Sequence, residues 1–405
     1  MKGPVLMINE AMKNYGNNRS VIRDLFEFGN QRKAVVGADN VFDFSLGNPN
    51  VAAPADVNAT MIELLNTKND IYLHGYTSAQ GDAACREAIV KDLNSRFGTD
   101  FRKDNLYMTC GAAASLKIIL TALYTPGDEV VVFTPFFPEY RVFIETSGAK
   151  CVACASDPDT LQIDFDNLRA SLTENTKAVI VNSPNNPSGV VYTEENIIKL
   201  GKLLEEKSQE YGHAIYLITD EPYRELVYDG IEVPFVTKYY RDTVVCYSYS
   251  KSLALPGERI GYVLVPDEIT DARDVYAAVC GAGRALGYVC APSLMQHVLE
   301  KCTGQVSDIN EYREKRDLIY NALTEMGFKC VHPDGAFYLF VKSPIENANA
   351  FSEAAKQFNL LLVPADSFGT PGYVRIAYCV ATDMIRRSLP AFEKLAACYK
   401  EELGK

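Results

Sequence analysis

The sequence lacks any long run of apolar residues. Nowhere does an uninterrupted apolar stretch approach the ~20 residues that a membrane-spanning helix requires. The opening segment, MKGPVLMINEAMKNYG, also has no continuous apolar stretch of signal-peptide length. Together these two absences predict a cytoplasmic protein without a membrane anchor.

Positive charge is also scarce. The 405 residues include 40 Lys and Arg against 52 Asp and Glu, which gives a formal net charge of −12. A chain with this excess of carboxylates is poorly suited to bind nucleic acid or an anionic membrane surface, because both repel it. We therefore expect neither among its partners.

Histidine is rare, with four residues, and the eleven cysteines are scattered and odd in number. One C-x-x-C pair, Cys151 and Cys154, lies in the run KCVACA, and no second pair accompanies it. A structural zinc site needs four ligands, so we expect no metal and interpret this pair as small residues in a strand. Most of the other cysteines lie in apolar runs, which is typical of reduced, buried thiols: Cys110, Cys246, Cys330 and Cys379.

The length and the order of the elements predict two domains. Single hydrophobic cores stop growing near ~250 to 300 residues, so a chain of 405 residues is expected to divide. Up to residue 261, β-branched runs alternate with helical stretches, which predicts an α/β fold with a mostly parallel sheet flanked by helices. Beyond it the pattern is that of a smaller α+β unit. We expect a large domain at 48–285 and a small domain formed by both chain ends, 1–47 and 286–405.

Residues 243–262, TVVCYSYSKSLALPGERIGY, concentrate groups that bind phosphate. Ser248 and Ser250 can donate hydrogen bonds to a phosphate, and Arg259 can pair with one in bidentate fashion. Lys251 stands beside them. A lysine taken alone is almost always a solvated surface charge, but a lysine held beside a bound phosphate suggests Schiff-base chemistry.

The pattern Ser-x-Ser-Lys-(seven residues)-Arg-x-Gly is complete at Ser248, Ser250, Lys251, Arg259 and Gly261. It resembles the pyridoxal-phosphate lysine signature of the fold-type I aminotransferases of class I/II, which include aspartate aminotransferase, and the resemblance covers nearly the whole chain. It implies pyridoxal 5'-phosphate as the cofactor, carried by Lys251 in a large cofactor-binding domain. The implied reaction moves an amino group from an L-amino acid to a 2-oxo acid by a ping-pong mechanism, with Lys251 transferring the proton at Cα.

Other motifs follow in the family's order. Gly111, Ala112 and Ala113 open a predicted helix after a strand, and such small residues leave the first N–H groups of a helix free to bind phosphate. The resemblance assigns these three residues to the cofactor phosphate, and it assigns Phe137, in FTPFFPEY, to stacking on the pyridine ring. Many α/β proteins have a similar turn, and core packing would also explain Phe137.

Two strand ends carry polar residues. Asn186 follows KAVIVN in an Asn-Pro-[Thr/Ser]-Gly motif, and Asp220 ends HAIYLITD. Loops at the carboxyl ends of strands bind ligands in open α/β sheets, although a turn or a helix cap would account for each residue alone. By resemblance, Asn186 and Tyr223 bond the pyridine 3-oxygen. Asp220 pairs with the pyridine nitrogen and, with Tyr223 and Lys251, belongs to the catalytic group.

The resemblance also implies substrate-binding residues. Gly47, in FSLGNPN, lets the backbone approach a ligand closely, and Arg375, a cation in the apolar run VRIAY, is assigned with Asn186 to the substrate and its α-carboxylate. Arg284, in GAGRALGYVC, falls where a dimer-interface arginine could bind an acidic side chain, although a helix-surface arginine is the commoner explanation. Tyr76 is assigned to the phosphate of the neighbouring subunit, which implies a homodimer.

The substrate and the reaction type stay open at this stage. Arg284 would favour aspartate or glutamate, and aromatic amino acids are a second possibility. The same motifs occur in pyridoxal-phosphate-dependent C–S β-lyases, which eliminate a β-substituent. A non-enzymatic regulatory domain that binds the cofactor is a further alternative, but the acidic charge and the lack of a basic winged-helix segment before residue 47 argue against DNA binding.

Overall fold

The structure, a computed structural model, describes residues 8–17 and 20–404. Its strands are β1 (Phe42–Asp43), β2 (Leu106–Thr109), β3 (Glu129–Thr134), β4 (Lys150–Ala155), β5 (Thr176–Asn182), β6 (Tyr216–Asp220), β7 (Thr243–Ser248), β8 (Gly261–Leu264), β9 (Cys330–Val331), β10 (Tyr338–Lys342), β11 (Leu360–Leu361), β12 (Val363–Pro364) and β13 (Tyr373–Ala377). Its α-helices are α1 (Glu10–Asn17), α2 (Val21–Val36), α3 (Ala55–Thr67), α4 (Asp70–His74), α5 (Ala83–Phe97), α6 (Ala112–Leu123), α7 (Glu139–Glu145), α8 (Phe165–Ser171), α9 (Glu194–Tyr211), α10 (Tyr249–Ser252), α11 (Ala272–Ala285), α12 (Ser293–Cys302), α13 (Ile309–Glu325), α14 (Ala348–Lys356) and α15 (Thr382–Ala397).

The central element is a seven-stranded sheet in the order β2-β8-β7-β6-β5-β3-β4. Strand β8 is antiparallel to both of its neighbours, and the other adjacent pairs are parallel. The strands are almost continuously apolar because helices cover both faces of the sheet. The prediction of an α/β fold with a mostly parallel sheet flanked by helices is confirmed.

Alternation along the strands directs side chains to the two faces. In β3, Val130 and Val132 pack in one core with residues of α6, α7 and α11. Val131 and Phe133 point to the opposite face, where α8 and α9 cover them. Helices α3, α5 and α12 extend that second layer over β2, β7 and β8. The buried sheet therefore fixes the strand ends from which the site is built.

Local capping explains where several helices begin. Thr193 caps α9 by accepting a hydrogen bond from the backbone of Asn196, and Asp82 caps α5 in the same way. The imperfect apolar stripe of Ile22, Leu25, Phe26 and Phe28 predicts a helix around residues 19–31. Helix α2 begins at Val21 behind a Ser20 cap and continues to Val36, while Arg19 lies outside the described residues.

A second, four-stranded antiparallel sheet has the order β12-β13-β10-β9. Its core is shared with helices α13, α14 and α15, and it includes Phe337, Tyr338 and Ile376. Strand β1, from the start of the chain, pairs in parallel with β11. Residues near both ends of the chain thus belong to one packed unit beside the large sheet.

Within the described residues no helix is long and apolar enough to span a membrane, and no group of His, Cys, Asp or Glu side chains is arranged to hold a metal ion. Cys151 and Cys154 lie in β4, as predicted. All eleven cysteines are free thiols; Cys246 and Cys379 are buried, whereas Cys110 and Cys330 are half-buried.

Candidate active site

A cavity of about 330 Å³ opens at the carboxyl ends of β3, β5, β6 and β7. In an open α/β sheet this edge is where ligands bind, because the loops that follow the strands converge there. Tyr338 and Arg375 of the second sheet, Ile22 of α2 and Gly47 after β1 complete the lining. Its lining consists of Ile22, Gly47, Ala112, Ala113, Leu116, Phe137, Asn182, Asn186, Asp220, Pro222, Tyr223, Ser248, Ser250, Lys251, Pro256, Arg259, Tyr338 and Arg375.

Lys251 projects into this cavity from α10, the short helix that directly follows β7. Its Nζ donates a hydrogen bond of 2.7 Å to the carbonyl oxygen of Gly47. Burial lowers the pKa of Lys251 to about 8, and the nearby cations Arg259 and Arg375 act in the same direction, while Cys379 opposes them. Roughly a tenth of this amine is therefore unprotonated at pH 7, far more than for an ordinary lysine, and the neutral form is the one that a nucleophile or a base requires.

One end of the cavity is built to hold an anion. The N-terminus of α6, with Gly111 at its cap, lies beside the guanidinium of Arg259, and a Cβ at Gly111 would be 3.0 Å from Nη2. The Oγ atoms of Ser248 and Ser250 are 2.7 Å apart at the same end. Gly261 permits the close packing, since a Cβ there would stand 2.3 Å from the Tyr247 carbonyl oxygen. Backbone N–H groups, hydroxyls and a guanidinium together match a phosphate.

Asp220 is buried at the end of β6. Its Oδ2 accepts a hydrogen bond of 2.5 Å from the hydroxyl of Tyr140, and Oδ1 has no partner among the described residues. Burial raises the pKa of Asp220 to about 7; the bond from Tyr140 opposes this shift and Glu221 adds to it. A buried carboxylate oxygen without a partner is costly, so the cavity fits a ligand that brings a donor or a positive charge to Oδ1.

Arg375 is 2% exposed in β13. Its Nη1 donates to Oδ1 of Asn186 at 3.1 Å and its Nη2 to the carbonyl oxygen of Ser45 at 2.6 Å, while Nε has no partner within the described part of the chain. Its guanidinium lies 4.7 Å from the ring centroid of Tyr338, whose hydroxyl is 2.8 Å from that of Tyr223. A buried guanidinium with an unused donor suits a bidentate carboxylate ligand.

Two residues singled out from the sequence do not reach the cavity of their own chain. The side chain of Tyr76 is 94% exposed in the loop before α5. Arg284 is exposed in the last turn of α11. The structure brings the other predicted site residues together, with Gly111 just behind the lining.

Several site residues were not predicted from the sequence. Asn182 ends β5 and donates from Nδ2 to the Asp220 carbonyl oxygen, and its Oδ1 accepts from the backbone of Asn186. A polar side chain at the end of an apolar strand was a usable signal for it. Tyr140 and Tyr338 stand in aromatic runs where nothing local distinguishes a site residue from a core residue, and the same holds for the apolar Ile22.

The geometry thus combines a phosphate-binding end, an amine of lowered pKa, and a buried carboxylate with a free oxygen, all of which fit pyridoxal phosphate. The chain belongs to the aminotransferase class I and II family, whose sequence profile matches residues 39–392. Members of this family use pyridoxal phosphate, and the chain is a pyridoxal-phosphate-dependent aminotransferase.

Individual relatives agree with this assignment. A probable aspartate aminotransferase of Methanocaldococcus jannaschii is 29% identical over 402 residues, which cover 96% of this chain and 100% of that protein. A probable N-acetyl-LL-diaminopimelate aminotransferase of Bacillus subtilis is 30% identical, with 90% of this chain and 91% of that protein covered. Among solved structures, an amino transferase from Eubacterium rectale is 57% identical with a TM-score of 0.96, and the match covers 98% of this chain and 100% of that one.

Proposed function

We propose that Lys251 binds the cofactor covalently and transfers the proton at Cα of the amino acid. The observation that carries this proposal is the amine of Lys251, whose pKa is lowered to about 8 by burial, in a cavity that Asp220 also lines. Oδ1 of Asp220 has no hydrogen-bond partner among the described residues. When bound, pyridoxal phosphate supplies an electron sink for the electrons of the Cα–H bond. The protein supplies binding, orientation and the base.

The remaining lining residues would divide the binding of cofactor and substrate. Ser248, Ser250, Arg259 and the helix start at Gly111–Ala113 would hold the phosphate. Phe137 is half-buried in the lining and is assigned to stacking on the face of the pyridine ring. This part of the proposal rests on the chemistry of the groups present.

Asp220, Asn186 and Tyr223 would surround the ring's polar atoms. Asp220, through Oδ1, would meet the pyridine nitrogen and keep it protonated, while Asn186 and Tyr223 would bond the 3-oxygen. Arg375 would clamp the α-carboxylate of the substrate over Gly47, aligning Cα–H with Lys251. A second substrate, a 2-oxo acid, would then take up the amino group in the reverse sequence of steps.

We propose an L-amino acid as the amino donor. Relatives carry names that mention aspartate, aromatic amino acids or N-acetyl-LL-diaminopimelate, so the names favour an L-amino acid and differ in its side chain. Arg284 would favour a substrate with an acidic side chain if Arg284 reaches into the cavity of the neighbouring subunit. The relatives are named as aminotransferases, which favours transamination over the C–S β-lyase and the regulatory domain that the motifs alone left open.

We also propose a cytoplasmic homodimer of two-domain subunits. A tyrosine side chain 94% exposed, as at Tyr76, is consistent with a residue that reaches a neighbouring subunit. The pairing of β1 with β11 supports a small domain made from 1–47 and 286–405 beside a large domain at 48–285. Helix α12 lies within 286–405 but packs on α3 and α5, so we assign this helix to the large domain as an exception to the boundary at 286.

The test is an absorbance titration of the purified protein reconstituted with pyridoxal phosphate. We expect a cofactor band that a suitable L-amino acid bleaches and 2-oxoglutarate restores, with aspartate, glutamate, phenylalanine and cystathionine compared as donors. Lys251→Ala should lose the covalent band, whereas Lys202→Ala, at an exposed position of α9, should retain it. Release of pyruvate and ammonia from cystathionine without an oxo acid, or a band that no amino acid alters, would contradict the proposed role of Lys251 in transamination.

A further inference from the structure

Tyr140 and Asp220 form a short hydrogen bond beneath the cavity. Tyr140 lies in the first turn of α7, just after β3, and Asp220 ends β6 on the far side of β5. The phenol hydroxyl donates to Oδ2 at 2.5 Å, and both side chains are buried. A neutral donor to a charged oxygen makes one of the stronger hydrogen bonds available inside a protein.

The bond leaves the two carboxylate oxygens of Asp220 in different situations. Oδ2 is occupied by Tyr140, while Oδ1 has no partner in the described part of the chain. Asn182 fixes the adjoining backbone by donating to the Asp220 carbonyl oxygen at 2.8 Å. The carboxylate is therefore anchored through one oxygen and through its backbone, and the other oxygen is left for a ligand.

We propose that Tyr140 is a positioning residue of the aminotransferase reaction, which holds the Asp220 carboxylate with Oδ1 directed at the pyridine nitrogen and favours its ionised form. This inference rests on the proposed function, in which Asp220 meets that nitrogen. Four titratable groups of the described residues interact electrostatically with Asp220: Tyr140, Glu221, Tyr223 and Cys246. Of these, Tyr140 is the one that donates a hydrogen bond to the carboxylate.

A purely structural role for Tyr140 is the competing explanation. Its ring packs in the core on the α6, α7 and α11 face and lies edge-on to Phe137, with ring centroids 5.7 Å apart. The same core contains Tyr124, a second buried tyrosine whose hydroxyl has no described partner. Removing each hydroxyl in turn therefore separates packing from the bond to Asp220, since both variants keep the ring.

The test measures the ionisation of Asp220 and the affinity for pyridoxal phosphate. Apoprotein labelled with [4-13C]aspartate is titrated by NMR, and the Asp220 signal is identified as the one that Asp220→Asn lacks. Tyr140→Phe should raise the titration midpoint of Asp220 by about one pH unit or more, since a donor to the charged form is lost. It should also weaken pyridoxal phosphate binding about tenfold. Tyr124→Phe should leave the titration midpoint of Asp220 in place and change the affinity for pyridoxal phosphate by less than about twofold.

Replacement of Tyr140 by 3-fluorotyrosine tests the same bond without removing it. The more acidic phenol should donate more strongly and move the Asp220 midpoint downward, opposite to the effect of Tyr140→Phe, so this variant decides the question even if Tyr140→Phe fails to fold. If the titration midpoint of Asp220 is the same in the wild type and in both Tyr140 variants, the positioning role is overturned and the proposed function still stands. If Asp220→Asn itself leaves cofactor affinity and spectrum unaltered, the proposed function of Asp220 fails instead.

Discussion

The amine of Lys251 donates a 2.7 Å hydrogen bond to the carbonyl oxygen of Gly47, 204 positions earlier in the chain. The same glycine packs against Tyr338, whose hydroxyl contacts that of Tyr223. The first segment of the chain, the large sheet and the second sheet thus meet at one wall of the cavity. This contact makes the wall sensitive to small changes at Gly47.

Gly47→Ala should impair substrate binding. The added Cβ would stand 2.1 Å from Oη of Tyr338, so Tyr338 must move and its 2.8 Å contact with Tyr223 must break. We expect kcat/KM for the amino donor to fall about 100-fold, as expected for misplacement by roughly an ångström. Gly281→Ala, where no described atom lies within 4 Å of the new Cβ, is the control and should retain activity. Equal activity of both variants would contradict the prediction.

Gly111→Ala should weaken cofactor binding. Its φ of +90° strains any L-residue, and the new Cβ would stand 3.0 Å from Nη2 of Arg259. Gly127→Ala has the same kind of strain at φ +107°, but no described atom lies within 4 Å of its Cβ. The dissociation constant for pyridoxal phosphate, measured by fluorescence titration, should rise about tenfold or more for Gly111→Ala. An equal rise for Gly127→Ala would attribute the effect to backbone strain.

Reductive methylation of the apoprotein should report the lowered pKa of Lys251. Only the neutral amine reacts, so the labelling rate at Lys251 should increase as pH rises through about 8. Because Arg375 lowers this pKa, Arg375→Met should move the midpoint upward. The measurement is peptide mass spectrometry after timed labelling at each pH. A midpoint near 10.4, the ordinary value for lysine, would show that the amine is solvated.

Asp220→Asn should change the pH dependence of apoprotein stability. The pKa of Asp220 is about 7 in the folded state, against an ordinary value of 3.8, so between these values the folded protein holds a proton that the unfolded chain has lost. Stability from this group is therefore lost as pH rises through that window, by about 4 kcal/mol once the pH exceeds 7. Urea unfolding of both proteins from pH 4.5 to 8 should show the loss in the wild type alone. If the free energy of unfolding changed with pH in the same way for the wild type and for Asp220→Asn, the raised pKa of Asp220 would be refuted.

The fold was predictable where the signal is local. The apolar positions Leu116, Ile119, Leu120 and Leu123 repeat at helical spacing and predict α6. Thr193 indicates the start of α9, because a helix cap acts within one turn. The short helices α4, α7 and α8 were not predicted. An element of fewer than eight residues gives at most two turns of periodicity, which is too little to distinguish it from a loop.

The site was predictable to the same degree. Ser248, Ser250, Lys251 and Arg259 form a motif within one stretch of chain, so the sequence displays them together. The bond from Tyr140 to Asp220 joins residues that are 80 positions apart. Only the order of strands in the sheet brings that phenol to that carboxylate, and neither residue carries a local mark of the contact.

The pairing of β1 with β11, together with the bond from Arg375 to the Ser45 carbonyl oxygen, has a consequence for how the protein is made. Translation delivers Lys251 and the whole seven-stranded sheet before Arg375 exists. In a nascent chain, the large sheet and the Lys251 side of the cavity can therefore form first. The residues of β1 can pair with β11 only after that strand has been synthesised. A chain truncated between β8 and β11 would contain Lys251 but would lack Arg375 and the partner strand of β1.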